Sequence, residues 1–161
     1  MSGTTTENRL DAWVSFLRSH AAITRELSAQ LQREHGLTLN DYEVLLHLSK
    51  APDGMRRVDL AESVLLTASG ITRLLEGLEQ AGFVAKRTCE SDARVSYAVL
   101  TDAGGEKLRA AAETHLRGID EVFLSRYSGS ELTALAELLG RLPVTGSECG
   151  AASACSSEPC S

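Results

Sequence analysis

Aromatic residues are scarce in this chain: three Phe, three Tyr and one Trp make up 4% of its 161 residues. A core must therefore come mainly from Leu, Val, Ile and Ala, which favours packed helices over a sandwich of aromatic-rich strands. Long apolar runs are missing too. No stretch approaches the roughly 18 uncharged apolar residues of a membrane span. Residues 1–10 show no basic segment leading into an apolar one, so no secretory signal is expected and a cytoplasmic location follows. Signatures of catalysis are lacking as well: there is no Gly-x-x-x-x-Gly-Lys loop, no His-Glu-x-x-His helix and no Gly-x-Ser-x-Gly elbow. No enzymatic activity and no cofactor are expected. The four histidines, His20, His35, His47 and His115, have no ligand-like spacing, and no metal centre is expected from them.

Net positive charge is absent overall, at −6, which by itself argues against a nucleic-acid partner. Its distribution changes the argument. Residues 1–54 carry five Lys/Arg against seven Asp/Glu, and residues 101–161 carry five against nine. Residues 55–100 carry six of each. The acidity lies outside the middle of the chain, where a local cationic face remains available for phosphate.

What is present is helical periodicity. From Asn8 to His35, Leu10, Trp13, Val14, Leu17, Ala21, Leu27 and Leu31 recur at three and four, predicting one long amphipathic helix stopped at Gly36. A second helix is expected from about Asn40 to Lys50, capped by Thr38, with Tyr42, Leu45, Leu46 and Leu48 on its buried side. Ala51-Pro52-Asp53-Gly54 is a turn. Two short helices follow, Val58–Val64 and Ser69–Ala81, the second carrying Ile71, Leu74, Leu75 and Leu78 at helical spacing and ending at Gly82. Phe83–Cys89 and Val95–Leu100 read as strands around a polar tip, residues 90–93. A further helix runs from Thr101-Asp102 to about Arg126, interrupted early by Gly104-Gly105. Ser128–Glu131 has capping-box spacing and launches a last helix through Leu142, ended by Pro143. Residues 1–7 are expected to be unstructured. Residues 143–161, rich in Ser, Ala, Gly and Cys, hold too little apolar bulk to pack and are also expected to be disordered.

The order helix, helix, short helix, turn, helix, strand, polar tip, strand describes a winged helix-turn-helix, so the expected fold class is mainly α with a two-stranded wing. The helix starting at Ser69 offers Thr67, Ser69, Gly70, Thr72 and Arg73 on the side opposite its apolar stripe. Small hydroxyl residues and glycine let a backbone approach a groove closely, and exposed N–H groups at a helix start suit phosphate. Arg73 can reach a guanine edge or a phosphate. Thr67 and Ser69 can equally be plain caps, and Arg73 a solvated charge. Arg56, Arg57, Lys86 and Arg87 flank this unit as phosphate contacts or solvated charges.

The stretch DLAESVLLTASGITRLLEGLEQAGFVAKR at 59–87, followed by Asp92-Ala-Arg94 and Leu100-Thr-Asp-Ala-Gly104, resembles the MarR family of bacterial regulators. Residues 37–48 are similar to that family's second helix, and the likeness spans about residues 10–142. It implies a DNA-binding repressor acting as a homodimer on a palindromic operator, through a winged lobe at 37–101 and dimerisation helices at 8–36 and 102–142. It implies a recognition helix in the major groove and a wing-tip Arg94, oriented by Asp92, in the minor groove. A surface Asp92–Arg94 pair with no DNA role is the alternative.

The resemblance also implies release by a small, often phenolic or lipophilic, effector, for which Trp13, Phe16, His20, Tyr42 and His47 are candidate pocket residues, or else plain core and interface. A rival input is thiol or metal chemistry at Cys89, Cys149, Cys155 and Cys160. Lys86 and Arg87 lie close to Cys89 in sequence and can lower a thiol pKa, or else Cys89 is an inert, half-buried strand residue; the tail spacing Cys-x5-Cys-x4-Cys matches no standard zinc motif. The family's peroxide sensors carry a cysteine in the first helix, and this chain has none there. A winged-helix interaction module without DNA binding is the third reading.

Overall fold

A 33-residue helix, α1 (Gly3–His35), opens the chain in the computed structural model, which describes residues 3–64, 66–88 and 96–142. It begins ahead of the expected Asn8, taking in residues expected to be unstructured. Once the following turns exist, each added residue fixes one pair of dihedrals for one hydrogen bond, so the helix extends at little cost. Gly36 ends it with φ 67, a backbone state in which a Cβ is penalised.

Thr38 then accepts from the Asp41 amide while the Asp41 side chain reaches back to the Thr38 amide, a reciprocal cap that starts α2 (Leu39–Ser49). After the Ala51–Gly54 turn come β1 (Met55–Arg56), α3 (Arg57–Ser63), α4 (Ala68–Gln80), β2 (Val84–Thr88), β3 (Ser96–Leu100) and α5 (Asp102–Val122). A short 3-10 turn at Leu124–Arg126 leads into α6 (Gly129–Leu139), capped by Ser128 and Glu131 as its spacing predicts. The helix expected to reach Arg126 thus stops at Val122, where Phe123 leaves helical geometry (φ −133) and its ring meets that of Tyr127. The last helix closes at Gly140 instead of running through Leu142, and Arg141 and Leu142 make only i→i−3 bonds.

The wing sheet has three strands where two are expected, in the order β1-β3-β2, all antiparallel. β1 pairs Met55 with Ala98 and Arg56 with Tyr97. Two residues have no period to detect, and their pairing is set by the turn before them. There Gly54 takes φ 85, and a Cβ on it would lie 2.6 Å from the Ala98 carbonyl.

One apolar cluster joins α2, α3, α4, the sheet and the C-terminal half of α1 to α5, with Leu31, Val44, Leu45, Leu60, Ile71 and Ala111 fully buried. Val58, near the start of α3, is 65% exposed. Further along, α1 and α5 cross at Gly118, where a Cβ would run into the Gln30 and Leu27 side chains. Beside the crossing, the Glu34 carboxylate accepts from Thr114 Oγ1 and Arg117, each at 2.8 Å. Thr114, buried among these helices, spends its hydroxyl proton on Glu34, so it accepts from His35 Nε2 at 2.8 Å. These bonds, Arg117 first and Thr114 second, hold the Glu34 carboxyl below its usual pKa.

The Gly104-Gly105 pair does not interrupt α5. Gly104 is buried, and a Cβ on it would collide with the Phe83 carbonyl, which accepts from the Thr101 amide at 3.1 Å. Gly104→Ala sets a helix-propensity gain of about 1 kcal/mol against an overpacking cost of about 1–3 kcal/mol. Urea unfolding should show a net loss of stability at unchanged m; a net gain would contradict this packing.

Candidate nucleic-acid interface

The pair α3–α4 is a helix-turn-helix whose turn closes through the Leu66 amide on the Ala61 carbonyl at 2.9 Å. Ile71, Leu75 and Leu78 bury one side of α4. At 3.6 residues per turn, Ser69, Arg73, Glu76 and Gln80 then fall within a strip roughly 60° wide on the opposite side, and all four are exposed. The sequence expectation covers Thr67 to Arg73 and leaves out Glu76 and Gln80. Their spacing of three and seven residues from Arg73 is the signal that adds them.

Thr67 and Thr72 are partly occupied by the fold itself. Thr67 Oγ1 accepts from the Gly70 amide at 3.1 Å, capping α4, and lies 3.3 Å from Ser69 Oγ. Gly70 is tucked against this cap, since a Cβ there would sit 3.1 Å from Thr67 Oγ1. Thr72 Oγ1 donates to the Ala68 carbonyl at 2.8 Å and receives Arg57 at 3.4 Å, tying α3 to α4.

The flanking cations divide in the same way. Arg56 forms a two-point ion pair with Asp59 (2.9 and 3.1 Å). Arg87 donates to the Asp53 carbonyl and lies over the Tyr97 ring. Arg73 and Lys86 are exposed and reach no partner among the described residues. Asp92, Arg94 and Cys89 lie in 89–95, and Cys149, Cys155 and Cys160 in the tail, all outside the described residues.

The expected pocket residues form two groups. Trp13, Phe16 and His20 stack along the exposed half of α1, with ring centroids 6.2 and 6.5 Å apart. Tyr42 is buried on α2 against His115 of α5, at 4.6 Å, while His47 is half-buried further along α2. A shallow cleft nearby is walled by Leu48, Pro52, Leu100, Asp102, Glu106 and Arg109 and includes none of the five. The His115 Nδ1 is buried without a hydrogen-bond partner among the described residues, and burial pushes the ring's pKa down. His47 is lowered by burial and by Lys50, whereas burial raises Glu43. Among the described residues no group of three His, Cys, Asp or Glu side chains can hold a metal ion, and no helix is long and apolar enough to cross a membrane.

Residues 35–95, the span that contains this unit, match the family model described as MarR family. The chain is 33% identical over 134 residues to the HTH-type transcriptional repressor Rv2887 of Mycobacterium tuberculosis, covering 82% of this chain and 94% of that protein. Among solved structures it is similar to AbsC, a MarR family transcriptional regulator from Streptomyces coelicolor (35% identity, TM-score 0.73, 81% and 88% of the two chains). It is also similar to Sco3205 from the same organism, a MarR family transcriptional regulator solved in complex with DNA (29% identity, TM-score 0.76, 84% of each chain).

The two lowered histidines fix the sign of a pH effect. Above the ordinary histidine pKa of about 6.5, both folded and unfolded states carry neutral rings. As pH falls below it, the unfolded state takes up protons that half-buried His115 and His47 resist, so stability falls. Glu43, raised by burial, acts in the opposite direction at lower pH. The test is therefore a difference: His115→Gln should lose stability less steeply than the parent between pH 7.5 and pH 5.5 in chemical denaturation. Parallel profiles would show that His115 does not contribute.

Proposed function

This chain belongs to the MarR family of transcriptional regulators, and from that premise we propose that it is a non-enzymatic, homodimeric repressor that binds a palindromic operator and is released by a small effector. The observation that carries the DNA reading is the outward strip of α4. Its capped N-terminus, small side chains and exposed Arg73 have the dimensions and chemistry of a major-groove probe. Glu76 and Gln80 extend that strip with groups that accept from cytosine N4 or pair with adenine. Lys86 at the wing supplies phosphate attraction, and Arg94, oriented by Asp92, enters the minor groove.

Dimerisation is supported by what α1 leaves uncovered. Leu10, Trp13, Val14 and Leu17 lie at one helical face and are 40–59% exposed, and Leu138, Leu139 and Leu142 at the chain's other end are also exposed. Apolar side chains in such number favour burial against a second copy. Residues 8–36 and 102–142 then form the dimer arms and 37–101 the DNA-binding lobe. Two-fold symmetry sets the recognition helices on half-sites roughly 34–36 Å apart. An effector seated between arms and lobe, near Tyr42 and His47, releases DNA by changing that separation. Thiol or metal sensing through Cys89 or the tail cysteines remains the rival input; replacing all four cysteines with Ser should leave an effector response intact and abolish an oxidant response.

Binding is measured on a duplex selected from a random pool. Arg73→Ala and Arg94→Ala should each weaken it by roughly 1–3 kcal/mol, the scale of one good base contact, with the dimer intact. Absence of any salt-sensitive, sequence-selected binding would favour a protein-interaction module instead. Leu17→Glu should shift the chain to monomer in sedimentation and abolish tight operator binding; a dimer of unchanged strength would contradict the assignment of the arms.

A further inference from the structure

Arg87 is placed by the sequence among phosphate contacts, but its surroundings suit another task. The strand registers set Arg87 opposite Tyr97 and Arg56 opposite the same Tyr97. Directly opposed residues share a face of an antiparallel sheet, so one row, Arg56–Tyr97–Arg87, crosses all three strands on the side away from the core residues Val84 and Ala98. The Arg87 guanidinium carbon lies 5.8 Å from the Tyr97 ring centroid, and its Nη2 donates to the Asp53 carbonyl. Asp53 belongs to the Ala51–Gly54 turn, which closes through the Gly54 amide on the Ala51 carbonyl at 2.8 Å and is pressed against β3 at Ala98. At the other end of the row Arg56 grips Asp59 of α3.

We propose that Arg87 is a positioning residue: it braces the wing against the 51–54 turn, and through that row against the helix-turn-helix, instead of neutralising a phosphate. The wing needs such a brace. Of β2's five residues only Val84 is buried, and a narrow sheet with one buried side chain on its outer strand is marginal by itself. One Nη2 proton is spent on the carbonyl and one face of the guanidinium lies on the ring, so turning the group out to follow a phosphate would give up both contacts. Held where it is, it fixes β2 against the turn, so that strand is ordered before DNA arrives and its ordering is not charged against binding. The inference rests on the DNA-binding reading above.

The test is affinity for the pool-selected duplex at several salt concentrations between roughly 50 and 200 mM. Arg87→Ala should weaken binding roughly tenfold, the low end for losing a hydrogen bond to a charged group, at every salt, with an unchanged slope of log K against log salt. Arg87→Lys should not rescue it, because a compact ammonium lacks the planar fork that spans ring and carbonyl. On an Arg94→Ala background, Arg87→Ala should add little further loss. Tyr97→Leu should mimic Arg87→Ala, and Tyr97→Phe should not, which keeps the test open if one variant folds poorly. A slope reduced by about one per protomer with rescue by lysine would assign a phosphate contact. Unchanged affinity in Arg87→Ala, or full additivity with Arg94→Ala, would overturn the proposal equally. Loss of the parent's own selected binding would sink the DNA reading itself and is distinguishable from each of these.

Discussion

Burial of Ile71, Leu75 and Leu78 beneath α4 is the constraint from which the rest follows. Those three side chains fix the helix's rotation about its own axis, and the opposite strip is outward because they are inward. Each is worth roughly 1.5–3 kcal/mol when fully buried, far more than any single polar contact on the exposed side. The strip is thus aimed by the core. Its polar residues are not needed for packing, apart from Thr67 and Thr72, whose hydroxyls cap α4 and link it to α3.

A second consequence concerns α1, whose two halves live in different environments. Leu27 and Leu31 belong to the core, and the Glu34–Thr114–Arg117 bonds lock this end to α5. From Leu10 to Leu17 the same apolar spacing continues, exposed among the described residues. The lobe is therefore rigidly joined to a lever whose far end is apolar and open. In the symmetric pair proposed above, any change where α2, α5 and α1 meet would be delivered to both copies of α4 at once. His115, with a buried ring nitrogen lacking a described partner, stands at that joint.

Most of the architecture was legible in the residues because it rests on local chemistry. Helical spacing located the helices from α1 to α6, and Thr38, Thr67, Thr101 and Ser128 cap helices where hydroxyls precede apolar repeats. What was not legible depends on chain segments far apart in sequence. β1 has only two residues and exists through its register with β3. Gly104-Gly105 looked like a break because propensity is local, whereas the demand for no Cβ comes from Phe83. Periodicity put Leu10 and Leu31 on one stripe and could not say that, among the described residues, Leu31 is buried and Leu10 exposed. The flanking arginines were indistinguishable as letters; Asp59, Thr72, Asp53 and Tyr97 separate them once folded. Family likeness is the source of the expected dimer and of the role expected for Asp92 and Arg94, which no spacing in the residues dictates.

The outward strip of α4 is the central claim, and thiol protection reads it directly. Ser69→Cys places a near-isosteric thiol on the strip, and peptide-level mass spectrometry separates its alkylation from that of the native cysteines. Addition of the selected duplex should slow alkylation at position 69 strongly while leaving a thiol at exposed Arg109 on α5 as reactive as before. Equal reactivity at position 69 with and without bound duplex would show that DNA is held by some other surface.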